Sequence, residues 1–405
     1  MSIAQSLGFS PERLARLDQF ITRKYLEPGR MPCAQVLIAR HGEIVHEFVG
    51  GQRDLARGLA CESDTLFRIY SMTKPITSIA FMMLVEEGLV ALDDPVHRFI
   101  PEWKDLGVFA AGLPGAFQTR PVARPMQMVD LLRHTSGLTY GFQNRTNVDA
   151  AYRKLGVGEI GSTISLDDMI AALAVLPLEF SPGEAWNYSV STDILGYLVG
   201  KISGIPFEQF VQERICRPLG MTNTDFQVAD GQQGRFAACY SATPKGGMDL
   251  QDDPQTSAYL APPGLVSGGG GLVSTAADYM KFCQMLLNRG ELDGQRLIAP
   301  KTLDLMTANH LPDGKDLTQL SRSLFSEATN AGVGFGLGFA VVQDAARTLV
   351  PCSDGEFYWG GAASTAFWVD PAEDLAVVFM TQLLPSSAYP IRRELRTLIY
   401  SAMMD

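Results

Sequence analysis

Ser71 and Lys74 stand three residues apart in "FRIYSMTKPITSIAFMMLVEEG", residues 67–88. On a helix, positions i and i+3 share a face, so this hydroxyl and this amine can touch. A serine becomes a nucleophile when a neighbouring base takes its proton, and lysine can be that base once uncharged. Free lysine titrates near pH 10.4, and burial or a second cation lowers that by several units, so the pair needs enclosure. A helix N-terminus adds partial positive charge and free N–H groups, which can hold a developing oxyanion. S-x-x-K also arises by chance, and a serine at a helix start is often only a cap. Here a strand-like lead-in ends at Ile69-Tyr70, and Ile76, Ile79, Ala80, Met83 and Leu84 recur at helical spacing until Gly88.

Other routes to serine chemistry are weaker in this chain. No G-x-S-x-G occurs, so the nucleophile elbow of the α/β-hydrolases is missing. His134, in "LLRHTSGL", falls at a helix end, where a capping role accounts for it.

Several elements must position the pair. Pro11 to Tyr25 reads as an amphipathic helix capped by Ser10, and "CAQVLIARHGEIVHEFVGG" as a hairpin turning at His41-Gly42. "MQMVDLLRHTSGL", "SLDDMIAALAVLPL", "STDILGYLVGKISG" and "PFEQFVQERICRPLG" make the middle of the chain mainly helical. A Gly-rich crossing, "GLVSGGGGLVST", leads to a helix at about Thr275 to Asn288. Beyond it, "FWVDPAEDLAVVFM" reads as a hairpin and "YPIRRELRTLIYSAMM" as a closing helix. The expected fold is α/β: an antiparallel sheet built from both ends of the chain, with helices on both faces and an all-helical insertion. The boundaries are 1–95 with 256–405 for the discontinuous sheet domain and 96–255 for the helical one, the active site lying between them.

Composition narrows the function further. The 405 residues are 46% hydrophobic and 19% charged with a net charge of -11, a globular profile with no basic stripe for nucleic acid. No apolar run is long enough to cross a bilayer, and the N-terminus lacks the charged and apolar regions of a signal peptide, so a cytoplasmic location is expected. Six scattered cysteines and five histidines form no metal-ligand pattern, and neither a metal nor a cofactor is implied. Oligomeric state is left open.

Four blocks in order carry a resemblance to the serine β-lactamase and penicillin-binding-protein superfamily, nearest its family VIII carboxylesterases with their class C-like fold. "FRIYSMTKPITSIAFMMLVEEGLVALDDPV" resembles the nucleophile helix, "LLRHTSGL" the helical-region signature, "FSPGEAWNYSVSTDILGYLV" the tyrosine motif, and "GLVSTAADYMKF" a further shared block. The resemblance implies Ser71 as the acylated serine, Lys74 as its partner and Tyr188 as a proton relay. Taken alone, Tyr188 would read as a packing aromatic. Where the family's β-lactamases have Tyr-x-Asn this chain has Tyr188-Ser189-Val190, and in place of Lys-Thr-Gly it has Trp359-Gly360-Gly361. That exchange removes a cation suited to a β-lactam carboxylate, looks like the esterase branch, and points to an uncharged acyl group. The same alignment puts the Ala362 N–H beside that of Ser71 as an oxyanion donor. The two glycines fit a backbone that approaches a ligand closely, or an ordinary turn.

The reading is therefore a serine carboxylesterase acting on a small-molecule ester. Its alternatives are a β-lactamase, D-alanyl peptidase or acyltransferase of the same fold, and a non-catalytic sensor or binding module. Segments Phe109 to Phe117 and Tyr140 to Thr146 are expected to shape the pocket entrance.

Overall fold

The computed structural model describes residues 2–159, 162, 164–322 and 330–405. Its centre is an antiparallel sheet of eight strands: β1 (Cys33–Arg40), β2 (Glu43–Asp54), β3 (Leu59–Ala60), β4 (Val333–Phe335), β5 (Ala340–Val342), β6 (Phe357–Gly360), β7 (Ala366–Asp370) and β8 (Leu375–Met380). Their spatial order is β4-β5-β6-β7-β8-β1-β2-β3, so β8 from the end of the chain pairs with β1 from its beginning, Leu37 opposite Val378. The β1–β2 turn places His41 at φ 53° and Gly42 at φ 77°. Two successive left-handed residues give the twist that a two-residue hairpin needs.

Five helices organise the rest: α1 (Pro11–Ile21), α2 (Thr73–Glu86), α3 (Ser191–Ser203), α4 (Ala276–Leu287) and α5 (Ile391–Ala402). Strand side chains alternate between faces, and here both faces are covered. Val36, Ile38, Val377 and Phe379 pack with Leu14, Leu17 and Ile21 of α1 and Leu395 and Ile399 of α5. Leu37, Ala39, Ala376 and Val378 pack with Tyr279 and Phe282 of α4 and with α2. Every residue of β1 is consequently buried, which is why its text is an unbroken apolar run. The Ser10 hydroxyl accepts from the Arg13 N–H as foreseen, and the helix foreseen to reach Tyr25 ends as α at Ile21 and continues as a π turn, Thr22–Leu26.

The segment 96–255 holds α3 and several shorter helices, together with two strand pairs that the helical reading did not include. Val108–Leu113 pairs with Ala116–Arg120, and Cys239–Ala242 pairs with Met248–Asp252 and, in parallel, with Leu383–Leu384. Helix α2 is buried almost all round, from Thr73 to Leu84, as expected of an apolar helix at the centre of a large core. Among the described residues no helix is long and apolar enough to cross a membrane.

Candidate active site

Three independent constraints place Ser71. The short strand Phe67–Arg68 pairs with Val273–Ser274 and fixes the lead-in. The fully buried Arg68 guanidinium donates to Asp252 Oδ2 at 2.6 Å, to the Ala237 carbonyl at 2.5 Å and to Gln382 Oε1 at 3.2 Å, which ties that strand down from the other side. The chain then turns through a 3₁₀ segment, Tyr70–Met72, with Tyr70 in the left-handed region at φ 43°. Such a conformation is costly for a residue with a large side chain and persists only where the surroundings enforce it. It lies directly before Ser71.

Lys74, on the first turn of α2, is buried, with 2% exposure. Its Nζ lies 3.3 Å from Ser71 Oγ, 3.1 Å from the Tyr140 hydroxyl and 2.6 Å from the Gly269 carbonyl oxygen. The spacing Ser71-x-x-Lys74 thus delivers the contact expected of it. Tyr188 meets the amine differently: Nζ sits over its ring, 4.4 Å from the centroid, a cation–π contact. The Tyr188 hydroxyl accepts from Trp359 Nε1 at 3.4 Å.

Trp359, Gly360 and Gly361 lie at the end of β6 and the start of its turn to β7. Both glycines line the cavity, and the space a side chain would fill at each is held by the protein's own groups. A Cβ at 360 would stand 2.6 Å from Arg392 Cζ, and one at 361 would stand 2.4 Å from the Ile69 carbonyl oxygen. They clear space for the protein's own groups, so that the turn can lie against the lead-in to Ser71. Arg392, on α5, grips the turn by donating to the Gly361 carbonyl at 2.6 Å and the Thr365 carbonyl at 2.8 Å. Ala362, between them, is exposed on the cavity, and among the described residues its N–H makes no hydrogen bond.

These groups line one cavity of about 650 Å³, whose wall includes Ser71, Tyr140, Tyr188, Trp359 and Ala362. Tyr140 and Phe142 stack at 4.7 Å on that wall, as expected for their segment. Residues Phe109 to Phe117 belong instead to a partly exposed hairpin, and Phe109 faces a separate surface depression. His134 is buried beside Tyr188 with its Nδ1 at 3.3 Å from Ser189 Oγ. Burial, with Lys74's charge adding to it, holds its imidazole well below the usual range, so the ring stays neutral and serves packing. Among the described residues no three His, Cys, Asp or Glu side chains cluster as metal ligands.

Sequence reasoning placed Tyr140 only at the pocket entrance and missed its contact with Lys74, and it missed Asp193, Arg68 and Arg392. Asp193 carried a signal: a carboxylate inside the apolar run "TDILGYLV" needs partners if it is buried. A hydroxyl and a buried amine in contact, opening on an apolar cavity with an unused backbone donor, can form and break an acyl bond.

The fold and this site define a serine hydrolase of the β-lactamase type. The family model "Beta-lactamase" matches residues 19–401, and the chain belongs to that family. Esterase EstB of Burkholderia gladioli is 30% identical over 412 residues, covering 96% of this chain and 95% of that protein. A monacolin J acid methylbutanoyltransferase of Aspergillus terreus is 29% identical over 343 residues, covering 82% and 80%. Among solved structures, EstCE1, described as a hydrolase with promiscuous acyltransferase activity, superposes with a TM-score of 0.80 at 27% identity, covering 96% of this chain and 99% of its own. The protein is accordingly an enzyme with esterase and acyltransferase relatives.

Proposed function

We propose that this enzyme is a carboxylesterase that works through an acyl-serine intermediate, in the manner of the family VIII esterases. Ser71 Oγ attacks the ester carbonyl as its proton passes to the uncharged Lys74 amine, and the new O–C bond makes a tetrahedral oxyanion. The N–H groups of Ser71 and Ala362 hold that oxyanion. As the intermediate collapses, the C–O bond to the alcohol breaks and the alcohol leaves with a proton relayed through Lys74 and Tyr188. Water then attacks the acyl-Ser71 ester by the same steps and releases the acid.

The observation that carries this reading is the 3.3 Å contact between Lys74 Nζ and Ser71 Oγ on the wall of an apolar-lined cavity. Tyr188 and Trp359, the latter where the β-lactamases have a cation, support uncharged acyl groups, short-chain or bulky, in a cavity that Arg392, Arg393 and Arg396 also line. A cytoplasmic setting goes with the reading, supported by six free cysteines, five of them buried.

Acyl transfer is the second reading, favoured by the cavity volume. A site of about 650 Å³ is far larger than a short ester needs and can seat a second alcohol in place of water. Hydrolysis of a p-nitrophenyl ester series, a cephalosporin and a D-Ala-D-Ala peptide, with and without added alcohols, separates the readings. Ester turnover that Ser71→Ala abolishes is expected; preferential cephalosporin or peptide cleavage would overturn the assignment.

A further inference from the structure

The Gly-rich stretch Ser267–Gly271 and the carboxylate of Asp193 have no part in the chemistry above, yet both converge on Lys74. Asp193 is buried near the start of α3, with 1% exposure. Its Oδ1 accepts from Ser267 Oγ at 2.5 Å and from the Gly269 N–H at 3.0 Å, while Oδ2 accepts from the Tyr140 hydroxyl at 3.4 Å. Three hydrogen bonds received by a carboxyl favour its ionised form. Burial pushes this group up, and Lys74's charge with those donors opposes the push.

The direction of each hydrogen bond then follows. Burial and the neighbouring Asp193 push the Tyr140 phenol well above its ordinary range, so it keeps its single proton. That proton points to the Asp193 anion, which leaves the oxygen lone pairs facing Lys74. The Gly269 carbonyl, on the amine's other side, can only accept. Once Lys74 has given up its proton and can act as a base, its amine has two N–H bonds and one lone pair. Acceptors claim two of its three directions, and the third is the one toward Ser71 Oγ. Gly269 allows the assembly, since a Cβ there would stand 2.6 Å from Asp193 Oδ2 and 2.7 Å from the Tyr140 oxygen.

We infer that Asp193 and Tyr140 are positioning residues that set the polarity of this chain, so that Lys74 presents its lone pair, not an N–H, to the Ser71 hydroxyl. The inference rests on the acyl-serine reading proposed above. It gives the buried acid a catalytic consequence without contact with substrate. In Asp193→Asn the amide nitrogen would face Tyr140 as a donor, reverse that hydroxyl and direct its proton at the lysine lone pair.

Steady-state kinetics of Tyr140→Phe and Asp193→Asn on a p-nitrophenyl ester, with Ser71→Ala as control, test it. Both variants should lose about tenfold to a hundredfold in kcat, at or below the 10²–10⁴ of a general base itself, while KM stays within about threefold. Asp193 faces Tyr140 and, through it, Lys74, whose other titratable neighbours are Tyr188 and, beside that ring, His134. Removing the anion from this set eases proton loss from the site, so the acid limb of kcat/KM should move to lower pH in Asp193→Asn. Wild-type kcat and an unmoved pH profile in both variants would overturn the inference. Should Asp193→Asn fail to fold, Tyr140→Phe, which deletes one oxygen and keeps the ring, decides on kcat alone. Turnover surviving in Ser71→Ala would instead sink the acyl-serine reading beneath it.

Discussion

Gly361 and Ile69 touch through their backbones: a side chain at 361 would begin 2.4 Å from the Ile69 carbonyl oxygen. This contact seats the β6–β7 turn, which carries Ala362, against the segment that ends in Ser71, and in the proposed mechanism that turn supplies the second oxyanion donor. Gly361→Ala must push the turn away. Loss of one oxyanion donor costs about 10² to 10³ in kcat, and a fall of that size, with thermal stability largely kept, is expected from ester kinetics and a melting curve.

Arg392 holds the same turn from the opposite side through the Gly361 and Thr365 carbonyls. One planar guanidinium nitrogen serves both acceptors, a geometry that a lysine ammonium on a flexible stem does not reproduce. Arg392→Lys should therefore lose kcat, by about tenfold if the Ala362 donor is only displaced rather than removed, with a smaller change in KM. Equal activity in the lysine variant would show that charge near the turn suffices.

At position 74 an arginine keeps the positive charge and the reach but does not lose its proton in a protein. If Lys74 acts as the base, Lys74→Arg should cost about 10² to 10⁴ in kcat. Activity near wild type would mean that only the charge matters.

The neutral, buried His134 gives stability a pH dependence. Its folded value lies well below the unfolded 6.5, so at low pH the unfolded chain binds a proton that the folded one does not. The stabilisation is complete above about 6.5 and is lost as the pH falls from there toward the folded value. His134→Phe, which keeps a ring against Trp186, Tyr188 and Phe335, should flatten the acid limb of melting temperature against pH. An acid limb as steep as the wild type's would assign the loss to other groups.

Local relationships were legible in the sequence and distant ones were not. The Ser71–Lys74 contact spans three residues and follows from helix geometry, as the hairpin at His41-Gly42 follows from turn chemistry. Alternation along β1 could not reveal its two buried faces, because an apolar run with both sides covered has no polar period to read. Lys74's other partners lie 66 and 195 residues away, at Tyr140 and Gly269, and no spacing rule links them. The glycines at 360 and 361 were recognisable as a close approach. What they approach, Arg392 and Ile69, emerged only once α5 and the β6–β7 turn had been placed.

The most direct test of the account is the site of acylation. Enzyme mixed with excess p-nitrophenyl acetate, quenched in acid and digested, should yield one acetylated peptide, with the added mass on Ser71, and Ser71→Ala should yield none. An acetyl group on any other residue, or ester turnover in a protein whose Ser71 is never acylated even transiently, would contradict it.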